Sequence, residues 1–130
     1  MVEAAIVLPL LIFFLLGVFD LGFYLYAYVS IGDAARVAAL DTAASSLTAA
    51  NSALACADVR SDLQSLINSS SFSSTCATGP LTVSAHLVNG PDGAAATLVA
   101  VQYSLPLLQF PWLPNTFNAT GFAEMRVRGQ

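Results

Sequence analysis

From Ala4 to Ile31 a single charged residue, Asp20, interrupts an otherwise uncharged and mostly apolar run. Roughly 20 such residues cross a bilayer as a helix, so this segment constrains the chain more than any other. It must be covered by lipid, by another protein surface or by the rest of the chain. A secretory signal peptide would open on a basic stretch and end at a small-residue cleavage site. Here the first cation is Arg36, the start carries Glu3, and the helical pattern runs on past any such site.

The composition agrees with a segment of that kind. The chain is 56% hydrophobic and 9% charged, whereas a soluble domain carries about 25% charged residues. Intrinsic disorder is excluded by the apolar content. The four cations are the scattered Arg36, Arg60, Arg126 and Arg128, against a net charge of −4, which makes no basic patch for nucleic acid. One His and two distant Cys leave no material for a zinc site, and neither a metal nor a cofactor is expected.

Helical character continues beyond the apolar run. Asp33 to Ala55 is rich in Ala, the strongest helix former, and neither Pro nor Gly falls between Asp33 and Thr78. Ile31, Ala35, Ala38, Ala39, Thr42 and Ser46 keep a stripe of mostly small residues at helical spacing. The pattern predicts one helix from about Val2 to about Leu54, about 80 Å long. The remainder of the chain is too short to bury it. Heptads with flanking charges are missing, which disfavours an ordinary coiled coil. Pro9 lacks an N–H and crowds the preceding turn, and Gly17 and Gly22 flank Asp20. These three residues either are tolerated in an apolar surrounding or loosen the helix locally.

The second half reads differently. Residues 58–79 begin as a short amphipathic helix carrying Val59, Leu63, Leu66 and Ile67 and become a Ser/Thr-rich loop. Three alternating segments then predict strands. Leu81 to Asn89 turns Leu81, Val83, Ala85 and Leu87 one way. Ala95 to Leu105 does the same with Thr97, Val99, Val101, Tyr103 and Leu105. The last, about Ala119 to Arg128, shows Ala123, Met125 and Val127 on one face. Asn89-Gly90-Pro91-Asp92-Gly93 marks a turn, and a Pro-rich apolar loop precedes the last strand. The expected architecture is α+β: one long N-terminal helix whose C-terminal half covers the apolar face of a small antiparallel sheet. Residues 1–32 would be the hydrophobic helix and 33–130 the globular domain.

The run Val2-Glu3-Ala4-Ala5-Ile6-Val7-Leu8-Pro9-Leu10-Leu11, then Gly17-Val18-Phe19-Asp20, the aromatic stretch Tyr24 to Tyr28, and Asp33-Ala34-Ala35-Arg36 resembles the TadE-like family. These are pilin-related proteins of the tight-adherence branch of the type IV pilus superfamily. Ala123-Glu124-Met125-Arg126-Val127 looks like the family's closing strand. The sequence departs in two places: Ala4 stands where the family pattern has Phe, and Glu3 is third where pilins carry the glutamate fifth. The resemblance implies a pilin fold and a structural subunit. Such a subunit is held in the inner membrane by its N-terminal helix, processed by a prepilin peptidase and passed by the pilus assembly machinery into an extracellular helical homopolymer serving adhesion. Alternatives are a minor pseudopilin that primes or caps a pilus, and a monomeric membrane-anchored periplasmic domain.

Within that frame individual residues acquire roles. Glu3, a carboxylate at the start of an apolar helix, is relieved by the helix N-terminus or by the α-amino group of a neighbouring chain, which would place Met1 and Glu3 at a subunit contact. Asp20 lies about 24 Å along a helix from Arg36, so the two meet only between staggered chains, if Asp20 does not simply sit at a membrane interface. Cys56 and Cys76 form a disulfide in an exported protein or remain two buried thiols. Asn68 and Asn118 fit the glycosylation sequon, a common triplet. Ser84 and His86 share the polar face of one strand but lack an orienting third residue, so no enzyme activity is expected.

Overall fold

A computed structural model describes residues 2–66, 69–106 and 116–128, with helix side chains from Ile6 onward. Helix α1 spans Val2–Thr42 and helix α2 spans Ser52–Asp62, followed by two 3₁₀ turns, Leu63–Ser65 and Ser69–Ser71. Strands β1 (Leu81–Asn89), β2 (Ala95–Pro106) and β3 (Thr116–Arg126) form one antiparallel sheet in the order β1-β2-β3. The architecture is α+β, with the C-terminal part of a long N-terminal helix packed on a three-stranded sheet.

The first helix is shorter than the Ala content predicts. It ends at Thr42, not near Leu54, and residues 43–50 make turns before α2. Hydroxyl and amide side chains cause the break by competing for backbone partners. Thr42 Oγ1 donates back to the Ala38 carbonyl at 2.7 Å. Thr48 Oγ1 donates to the carbonyls of Thr42 and Ser45 at 2.9 and 3.0 Å. Asn51 Oδ1 then accepts from the N–H groups of Ala53 and Leu54, both at 3.1 Å, and starts α2 as its N-cap. The Arg128 N–H, just past β3, satisfies the Ala43 carbonyl left open at the end of α1. The amphipathic helix expected from Asp58 therefore begins earlier, and it buries Ala55, Cys56 and Val59.

The sheet follows its alternation closely. Leu81 pairs with Tyr103 and Asn89 with Ala95 across the first hairpin, and Ala96 pairs with Arg126 and Leu105 with Phe117 across the second. The hairpin turn places Gly93 at φ +76°, while Asp92 Oδ1 accepts from the Ala94 N–H. The core face carries Leu81, Val83, Ala85, Thr97, Val99, Val101, Tyr103, Leu105, Ala119 and Ala123, all buried. Leu87 keeps the alternation of β1 but is 54% exposed. Helix α1 packs on β2 and β3, and α2 packs on β1.

On α1 the small-residue stripe does what its spacing predicts. Ile31, Ala34, Ala35, Ala38, Ala39 and Thr42 are all buried, whereas Ser46, beyond the helix end, is exposed. Small side chains let the helix approach the sheet closely. At Gly121 of β3 a Cβ would stand 3.0 Å from the Ile31 carbonyl oxygen. A disulfide joins Cys56 of α2 to Cys76 before β1, with Cα atoms 5.8 Å apart. Between them Phe72 is buried against Tyr103 in an edge-on contact, ring centroids 5.7 Å apart.

Candidate functional site: the uncovered face of the N-terminal helix

The feature that separates this chain from a self-contained α+β domain is the part of α1 that projects beyond the sheet. Helix residues from Ile6 to Thr42 are long and apolar enough to cross a membrane, and none of the most hydrophobic stretch is buried inside the chain. Ile6, Leu10 and Phe14 are each about two-thirds exposed, and Leu8, Phe19 and Leu21 nearly so. In water such a surface is far beyond the apolar patch a soluble monomer tolerates.

The helix enters the domain between Tyr24 and Ile31. The Tyr24 ring meets Phe117 of β3 edge-on at 5.7 Å and stacks on Tyr28 at 6.4 Å. The Tyr26 hydroxyl lies 3.2 Å from Ser65 Oγ in the turn after α2. Ala27 and Ile31 are fully buried. The aromatic stretch is thus a collar: one side is anchored on the domain, while Phe23, Tyr26 and Tyr28 still present about half their surface outward. Sequence alone placed the tyrosines but not Phe117 or Ser65, because those contacts span distant parts of the chain and leave no local pattern.

Helix α1 runs through Pro9, Gly17 and Gly22 without a break. A side chain at Gly17 or Gly22 would meet nothing within 4 Å, so neither glycine is required by packing inside this chain. Gly22 instead floors a shallow dent of about 320 Å³ lined by Val18, Phe19, Phe23 and Tyr26.

The charged residues on this helix divide cleanly. Asp20 is half-buried, and among the described residues its carboxylate has no hydrogen-bond or ion-pair partner. Arg36 pairs with Asp33 at 3.7 Å across one helical turn; both side chains are about 70% exposed, so the pair contributes little. The structure does not bring Asp20 and Arg36 together. Met1, Asn68 and the side chain of Glu3 lie outside the described residues. Asn118 is exposed on β3, where its Oδ1 accepts from Ser104 Oγ at 2.7 Å.

Elsewhere the chemistry is sparse. His86 is exposed on the outer face of β1, across from Leu98 of β2. Asp58 of α2 faces Asp41 in the last turn of α1. Burial raises its pKa first, and the charges of Asp41 and Asp62 push it the same way. One of its oxygens is buried without a hydrogen-bond partner. Burial also raises the Tyr103 phenol.

The TadE-like protein family profile matches residues 1–40, which is nearly the whole of α1. The match covers less than a third of the chain, so it is the N-terminal helix that is similar to TadE-like proteins. No curated protein and no solved structure matches the chain.

Proposed function

We propose that the protein is a structural pilin subunit. Its α1 anchors it in the inner membrane first and afterwards forms the core of an extracellular helical filament used for attachment. One observation carries this reading: an uncovered apolar helix surface from Ile6 to Phe23 rises from a folded, disulfide-braced domain. A surface of that size is satisfied by lipid in one setting and by other copies of itself in another. Each large side chain buried between helices in water contributes about 1.5–3 kcal/mol. The TadE-like match over the same residues supports the reading independently.

The remaining features take their places around that core. Gly17 and Gly22, which no contact in the chain requires, allow neighbouring backbones to approach closely. Glu3 lies in the first turn of the helix, where the α-amino group of an adjacent subunit neutralises it and sets the register. A prepilin peptidase and the assembly machinery act on the membrane-held form. The outer face of the sheet, with His86, Gln102, Thr120 and Phe122, forms the filament surface.

Electron microscopy of material sheared from the surface of producing cells, with mass spectrometry of its main component, tests the proposal. Filaments composed chiefly of this chain support it. The chain as a trace component of filaments built from another protein would make it a minor pseudopilin. Recovery only from membranes, as a monomer, would make it an anchored domain.

A further inference from the structure

Asp20 and Arg36 lie on opposite sides of α1. Asp20 heads the row Asp20, Tyr24, Ala27 and Ile31, which runs down onto the sheet. Arg36 points away from the sheet, with 71% of its side chain exposed. On a regular helix their spacing in sequence corresponds to about 24 Å of rise and about 160° of rotation. A continuous helix cannot bring them together within one chain. Arg36 is also the sole basic side chain between Val2 and Thr42.

We propose that Asp20 of one subunit pairs with Arg36 of the next, a contact that rests on the filament reading above. The second subunit is displaced by about 24 Å toward the N-terminal end of the first. The side of its α1 that faces away from its own sheet then lies over the side of the first helix on which Asp20 sits. The C-terminal half of one helix thereby overlies the apolar N-terminal half of another, and its domain stays on the outside. A carboxylate on an otherwise apolar stretch of helix needs a partner once water is removed, and a guanidinium is suited to that task. Exchanging Asp33 for Asp20 gives up only an exposed pair between residues three apart, worth a few tenths of a kcal/mol. Two different faces of the helix take part, so the contact is heterologous. Contacts of that type propagate as open helical polymers, whereas a self-complementary face closes into a dimer.

Because Cys56 and Cys76 are joined to each other, the introduced thiols of an Asp20→Cys, Arg36→Cys double variant report alone. Mild oxidation of its filaments should give a ladder of covalent multimers, and neither single variant should give any. Dimers from Asp20→Cys alone would indicate a two-fold contact and overturn the proposal. Filaments of the double variant that stay uncross-linked would overturn it too, while leaving the filament reading intact. A wild-type chain that forms no filaments removes both. Charge reversal gives a second readout: Asp20→Arg and Arg36→Asp should each lose most of the filament yield, and their combination should recover it. Failure to recover contradicts the pairing.

Discussion

Gly121 shows how one residue sets the geometry of the whole helix. A Cβ there would stand 2.9 Å from Ile31 Cγ2 and 3.0 and 3.1 Å from the Ile31 carbonyl oxygen and carbon. A side-chain methyl can turn aside, but the backbone of α1 cannot. Gly121→Val should therefore cost about 1–3 kcal/mol, read as a lower denaturation midpoint of the full chain in mild detergent, whereas Phe122→Ala, at a position 77% exposed, should leave the midpoint nearly unchanged. Equal midpoints for wild type and Gly121→Val would contradict the close approach. Asp58 makes a pH-dependent prediction. Its folded pKa is raised above the ordinary aspartate value of 3.8, mainly by burial and then by Asp41 and Asp62. A raised pKa means that its favourable contribution is full below the unfolded value and is lost as pH rises through the folded one. Asp58→Asn should thus stabilise the chain at neutral pH and lose that advantage in acid; thermal melts of both chains from acid to neutral pH check the crossover. At the other end of the molecule, Glu3→Ala should leave the chain folded and inserted in the membrane but stop or slow polymerisation. Normal filament yield from that variant would refute the role assigned to Glu3.

Among the elements, the disulfide between Cys56 and Cys76 ties α2 to the chain leading into β1. It closes a loop of sequence separation 20, a constraint worth about 3 kcal/mol in the entropic view. Reduction should add two protons by intact mass and lower the denaturation midpoint; alkylation of both thiols without prior reduction would show that the bridge is absent in solution. The sheet was legible in the sequence because alternation fixes both faces of a strand at once: Thr97, Val99, Val101, Tyr103 and Leu105 all turn inward as their spacing requires. The end of α1 was not. Alanine propensity is a sum of small preferences, and it was overridden by the specific hydrogen bonds of Thr42, Thr48 and Asn51. Leu87 obeys the alternation of β1 yet is exposed, because burial depends on tertiary packing that alternation does not encode. The uncovered helix face was readable throughout, since a surface meant for lipid or for other helices must be apolar on every side. Its anchorage on Phe117 and Ser65 was not, because that depends on contacts between segments far apart in sequence.

As a whole molecule, the chain divides into a domain that satisfies itself and a helix surface that does not. Tyr24, Ala27 and Ile31 join the two, with Tyr24 against Phe117 and Ile31 against Gly121 of β3. The described ion pairs, Asp33 with Arg36 and Asp92 with Arg126, are exposed and worth about 0–1 kcal/mol each. The apolar side chains from Ile6 to Phe23 far outweigh them once buried, at about 1.5–3 kcal/mol apiece. In the proposed filament this helix surface, and not the outer charges, holds subunits together. The most direct measurement is the mass of sedimentable filament that remains after molar salt and after heating in a detergent able to coat helices. The filaments should persist in salt and fall to monomers in detergent; dissociation by salt alone would mean that polar contacts on the domains carry the assembly.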